Sequence, residues 1–162
     1  MSDENDKGAS GALIVLDDCS DASNWQVHAT EGVAALVEVV GDVGRKSLRL
    51  DYDFNGRAGF ALVRKKVELR LPENYALTFG VRGQSPDNTL ELKLVNEAQD
   101  TVWWVNRPSF KFPAQTVELR NKARHFSYAW GPDKSRLVDV RYIELCVTAT
   151  NGGKGSVWFD NL

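Results

Sequence analysis

Apolar and polar residues alternate with a period of two along most of this chain. Leu48, Leu50, Tyr52 and Phe54 interleave with Ser47, Arg49, Asp51 and Asp53, and Leu77, Phe79 and Val81 fall on one face of 75–82. The same rule holds for Leu90, Leu92 and Leu94, for Val117 and Leu119, and for Ile143, Leu145 and Val147. Strict alternation is the signature of strands with one face in a core and the other toward water. Polar partners such as Glu91, Lys93, Glu118 and Glu144 mark the opposite faces.

Turn residues punctuate these segments at short intervals: Gly41-Asp42-Val43-Gly44, Asn55-Gly56, Ser85-Pro86-Asp87-Asn88, Gly131-Pro132-Asp133 and Asn151-Gly152-Gly153. No sustained helical stripe or internal repeat is present, and 121–129 reads as an irregular connection. About eight to ten strands in such a chain predict an all-β fold, a two-sheet antiparallel β-sandwich of jelly-roll type. Residues 1–11 lack periodicity and read as a tail or linker, which leaves 12–162 as one domain. The last strand runs through Val157-Trp158-Phe159-Asp160 and is too apolar to stay unpaired. The expected partner is a first strand at Leu13 to Asp17, which would bring the two ends of the domain together.

At 162 residues the chain can bury a core without metal or disulfide. A formal charge of -2 gives no basic excess for nucleic acid or an anionic membrane, and neither is expected as a partner. No run approaches the roughly 18 apolar residues of a membrane span, and the acidic start is unlike a signal peptide. Cys19 and Cys146 lie in apolar segments and read as small buried hydrophobes, with a long-loop disulfide as the other possibility.

Catalytic motifs are absent: no nucleophile elbow, zinc-protease helix, Walker loop or dinucleotide fingerprint occurs. Asp51 and Asp53 share a strand face and could supply two carboxylates, but a solvated face explains them equally well. The chain is therefore expected to be a non-enzyme. His28 reads as structural, whereas His125 lies near Trp130 in sequence and is a candidate ligand contact.

Five Trp residues exceed what the core needs and point to a binding surface. In Thr101-Val-Trp-Trp-Val-Asn-Arg107, alternation sends Trp103 and Trp104 to opposite faces. Placing Trp104 outward with Asn106, beside Arg107, gives an apolar platform edged by hydrogen-bonding groups, which suits a sugar ring. The opposite register is equally regular. Trp130, read as a loop residue, either contacts ligand or caps the sandwich core. Arg82, Glu91, Lys93 and Glu144 could form a charged floor. Trp25 and Trp158 are assigned to packing near the terminal strands. Asp17, Asp18 and Asp160 would approach one another if the termini meet, offering oxygen ligands to a hard cation such as calcium.

The segments Val15-Leu16-Asp17-Asp18-Cys19, Asn24-Trp25, Ser47-Leu48-Arg49-Leu50-Asp51-Tyr52 and Gly153-Lys154-Gly155-Ser156-Val157-Trp158-Phe159-Asp160-Asn161-Leu162 resemble a known pattern. It is that of the galactose-binding-like jelly roll of carbohydrate-binding modules, closest to the family-eleven type attached to bacterial glycoside hydrolases. The resemblance extends over nearly the whole chain from about Leu13. It implies a non-catalytic module that binds an oligo- or polysaccharide on a concave sheet, tethered to a catalytic domain in a secreted protein, extracellular or periplasmic, and monomeric. It places Trp130 and Phe60 at sugar platforms, Glu144 at a polar position of the concave face, and Asp18 and Asp160 at a structural calcium. Cys19 departs from the family's common Phe, and Val147 from a sugar-stacking Tyr. The runner-up is a protein-interaction or scaffold domain on the same fold.

Overall fold

The computed structural model describes residues 13–42 and 45–162. The tail reading for 1–11 and half of the turn at 41–44 lie outside these residues. Among the described residues eleven strands form: β1 (Gln26–Ala29), β2 (Ala34–Asp42), β3 (Arg45–Asp53), β4 (Phe60–Arg70), β5 (Ala76–Gln84), β6 (Asn88–Val95), β7 (Val102–Phe110), β8 (Val117–Lys122), β9 (Ser127–Trp130), β10 (Asp139–Thr148) and β11 (Lys154–Asp160). They pair antiparallel in two sheets, a six-stranded β1-β4-β10-β6-β7-β9 and a five-stranded β2-β3-β11-β5-β8. The predicted two-sheet sandwich is the observed architecture. No helix among the described residues is long and apolar enough to cross a membrane.

Alternation decides what each sheet buries. Leu48, Leu50, Phe79, Val81, Val157 and Phe159 face inward from one sheet, against Leu90, Leu92, Ile143, Leu145 and Val147 from the other, all fully buried. Register aligns these sets: Leu50 pairs with Val157, Phe159 with Val81, and Leu145 with both Leu92 and Val63. Packed at native density, such a core loses about 3–5 kcal/mol for each Phe truncated to Ala. Gly152 and Gly153 both take positive φ, at 71° and 76°, which lets the chain leave β10 and enter β11 in a tight turn.

The terminal segments correct one expectation. Leu13 to Asp17 forms no strand, and β11 lies between β3 and β5 in the middle of its sheet. The start of the domain nevertheless reaches its end: the Leu16 and Asp17 N–H groups donate to the Leu162 carbonyl, and Leu162 N–H returns a bond to Asp17. Both cysteines are free and buried, so no disulfide joins the sheets. Burial pushes each thiol up to about 12, with the Asp17 carboxylate adding to the effect at Cys19.

Candidate functional site

The six-stranded sheet carries an ordered row of side chains on its outer face. The ladder pairs Gln26 with Arg64, Arg64 with Glu144, Glu144 with Lys93, Lys93 with Trp104, and Trp104 with Ser127. Since facing residues in a ladder point the same way, these six positions form one line across all six strands. The next line holds His28, Leu62, Cys146, Glu91 and Asn106.

Trp103 and Trp104 divide as alternation requires. Trp103 packs against the core and meets Tyr128 edge to face, with 6.1 Å between centroids. Trp104 stands outward and contacts Trp130 edge to face, at 5.4 Å and 88°. Trp130 ends β9, an edge strand rather than the expected loop, and is 45% exposed. Between the rings rises Lys93, its Nζ 5.4 Å from the Trp130 centroid and 5.5 Å from that of Phe60. An ammonium so enclosed is held by the negative faces of both rings.

The floor beneath is charged yet buried: Glu91, Lys93 and Glu144 are 4%, 6% and 4% exposed. Burial of charge requires partners, and each has them. Glu91 accepts from Asn106 Nδ2 at 2.6 Å and Thr148 Oγ1 at 2.9 Å, with Lys93 Nζ 3.6 Å away. Glu144 accepts from Arg64 Nε at 2.6 Å, and Nη2 closes on the same oxygen. Asn106 spends one amide hydrogen on Glu91 and is exposed, leaving its carbonyl oxygen for a ligand.

Seven of the ten residues singled out from the sequence thus share this face: Phe60, Glu91, Lys93, Trp104, Asn106, Trp130 and Glu144. Three do not. Arg82 lies on β5 in the opposite sheet, its guanidinium 3.9 Å from the Trp158 ring centroid. Arg107 pairs in register with core-facing Leu90 and donates to Asn121 Oδ1 at 2.7 Å. His125 occupies a short 3-10 turn before β9, exposed, its Nδ1 accepting the Lys122 N–H.

Sequence reading missed the β4 and β1 end of the face, where Ser23, Asn24, Gln26, Arg64, Lys66, Gln99 and Tyr142 line a cleft of about 480 Å³. Gln99, at the tip of the β6–β7 hairpin with φ 60°, accepts from Arg64 Nη1 at 2.8 Å and donates to Tyr142 Oη at 3.3 Å. Its contacts join segments far apart in sequence, so no local pattern announces them.

The acidic residues near the chain ends fit a divalent cation poorly. Asp17 accepts from Cys19 N–H at 2.6 Å on one oxygen, and its other oxygen lies 2.9 Å from Lys65 Nζ. Asp18 is engaged by the backbone and hydroxyl of Ser20, and Asp160 sits half-buried on β11. Among the described residues no three His, Cys, Asp or Glu side chains stand where they could hold one ion. An ammonium at Asp17 supplies the positive charge that a metal would bring.

No family model matches the chain, and no curated protein matches it in sequence. Solved structures match it in fold. The family-11 carbohydrate-binding module from Clostridium thermocellum, in complex with a β-1,3-1,4-mixed-linked tetrasaccharide, superposes with a TM-score of 0.72 at 13% identity, over 91% of each chain. This fold is that of carbohydrate-binding modules. A second structure of that type, from a cellulosomal cellulase of the same organism, gives 0.70 at 12% identity, over 93% of this chain and 92% of the other. An exo-β-agarase gives 0.58 at 13% identity, over 93% of this chain but only 24% of its own.

Proposed function

We propose that the chain is a non-catalytic carbohydrate-binding module that holds an oligo- or polysaccharide against the outer face of its six-stranded sheet. The observation that carries this reading is the cluster of Trp104, Trp130 and Phe60 around Lys93, on a floor whose buried charges are paired. Rings fixed by their neighbours present flat apolar surfaces to the C–H faces of sugars at little entropic cost. Asn106 and the exposed edges of the floor exchange hydrogen bonds with hydroxyl groups. Glu91, Lys93 and Glu144 act by positioning, because their charges are spent on one another, on Arg64 and on the rings.

Catalysis has little support in this site. Hydrolysis of a glycosidic bond needs one carboxylic acid free to donate a proton and one carboxylate free to attack or activate water. Both oxygens of Glu91 are taken up by partners, and Glu144 is buried against Arg64. The role of such a module is proximity: tethered to a glycoside hydrolase outside the cell or in the periplasm, it keeps the enzyme at its substrate. A monomer suffices for this task.

The test is affinity gel electrophoresis of the folded chain across soluble polysaccharides. Selective retardation, abolished in Trp130→Ala, is the expected result; migration unaltered on every glycan would transfer the outer-face aromatics to a protein partner.

A further inference from the structure

The sugar platforms occupy one end of the outer face, and the 480 Å³ cleft occupies the other. Three strand spacings, from β7 through β6 and β10 to β4, separate Trp104 from Arg64, or roughly 14 Å. A sugar chain crossing the strands from Trp104 would therefore reach the cleft with its third or so ring.

The cleft differs from the platforms in chemistry. Its one aromatic ring, Tyr142, has the Arg64 guanidinium over it at 5.0 Å, which competes with a sugar for that face. Every other lining residue is polar, and the ionisable side chains among them, Arg64 and Lys66, are both cationic. Arg64 is neutralised by Glu144, but Lys66 is exposed and has no carboxylate partner among the described residues. The acids on the neighbouring hairpin, Glu97 and Asp100, do not line the cleft, and Asp100 accepts from Asn96 and Thr101 instead. Ser23, Asn24 and Gln26 line the cleft beside Lys66; the Ser23 hydroxyl donates to Asp21 at 2.7 Å and Asn24 Nδ2 to Asp17 at 3.5 Å, while Asp17 is itself paired with Lys65.

Resting on the sugar-binding reading above, we propose that this cleft receives an anionic substituent of the glycan, a uronate carboxylate or a sulfate ester, with Lys66 as its counter-ion. The module then selects acidic polysaccharides: Trp104 and Trp130 stack one part of the chain while Lys66 and the amide of Gln26 engage the charge. An ammonium paired with a fixed anion beside neutral donors forms charge-assisted hydrogen bonds, stronger than the neutral bonds available to an uncharged sugar.

Affinity electrophoresis and calorimetry on three polysaccharide classes test this: neutral (mixed-linkage β-glucan, galactan), uronate (polygalacturonate, alginate) and sulfated (carrageenan). Lys66→Gln and Trp130→Ala are compared with Lys46→Gln, which removes an exposed charge from β3 in the opposite sheet. The expected result is preference for an anionic class, weakened about tenfold by Lys66→Gln and by raised salt, and unchanged by Lys46→Gln. The class retained identifies carboxylate or sulfate. Binding to neutral glycans alone, lost in Trp130→Ala and indifferent to Lys66→Gln, would overturn the charge assignment and leave the sugar-binding reading standing. Failure of the wild type to bind any glycan would overturn both.

Discussion

Arg64 and Glu144, 80 residues apart in sequence, meet across β4 and β10 with Nε donating to Oε2 at 2.6 Å on the outer face of the sheet. Their side chains are 21% and 5% exposed, so the pair is largely withdrawn from water. Removing one partner strands the other, which costs more than the pair itself contributes. Arg64→Ala is expected to destabilise the domain by about 3 kcal/mol in denaturant titration, and Arg64→Ala/Glu144→Gln by less. Equal losses in the two variants would show that Glu144 does not depend on Arg64.

Trp104 and Trp130 differ in burial, and their truncations separate stability from binding. Trp130 is 45% exposed at an edge strand, so Trp130→Ala should cost about 1 kcal/mol or less. Trp104 is half-buried against it, and Trp104→Ala should cost about 2 kcal/mol. Each is expected to weaken glycan binding about tenfold or more, measured by titration calorimetry on variants shown to be folded.

The thiols give a pH dependence of definite sign. Cys19 and Cys146 keep their protons up to about 12 in the folded state but release them near 9 when unfolded. Between those values the unfolded chain binds fewer protons, so stability falls as pH rises, by about 1.4 kcal/mol per unit for each thiol. Unfolding titrations from pH 8 to 11 should show this decline, and a Cys19→Ala/Cys146→Ala variant should show less of it. Native protein should also resist alkylation at pH 8, with both thiols reacting after denaturation.

Lys65 gives the buried Asp17 carboxylate a charge partner at 2.9 Å, and on the ion-pair account the chain ends need no cation. Chelator should leave the melting temperature unchanged, and Lys65→Ala should lower it by exposing Asp17 as an unpaired buried carboxylate. A fall on chelation that calcium restores would place an ion among Asp17, Asp18 and Asp160 and contradict the ion-pair account.

Alternation made the core legible, because Leu48, Leu90 and Ile143 each recur with their neighbours at a spacing only a half-buried strand explains. It failed at β4, where Ala61, Leu62 and Val63 are consecutive and all buried: Ala61 and Val63 enter the core, and Leu62 is covered on the outer face. Glu91, Lys93 and Glu144 read as water-facing for the same reason, since period two reports a face and not what covers it. The aromatic cluster was half visible. Trp104 and Asn106 share a face by parity, but the approach of Trp130 and Phe60 to Lys93 depends on strand order. Arg82 and Arg107 carried the right chemistry on the wrong surfaces, one taken by Trp158 and the other by Asn121. The last strand was correctly read as needing partners, but they are β3 and β5, and the first residues reach only Leu162.

The central claim concerns which face binds. Trp158 provides the control, an indole on the outer side of the five-stranded sheet beside Arg82. Calorimetric titration of a retained polysaccharide into the folded Trp104→Ala, Trp130→Ala and Trp158→Ala proteins compares the two faces directly. Affinity lost in the first two and kept in the third is the expected result; affinity kept in Trp104→Ala and Trp130→Ala, or lost in Trp158→Ala, would contradict the assignment.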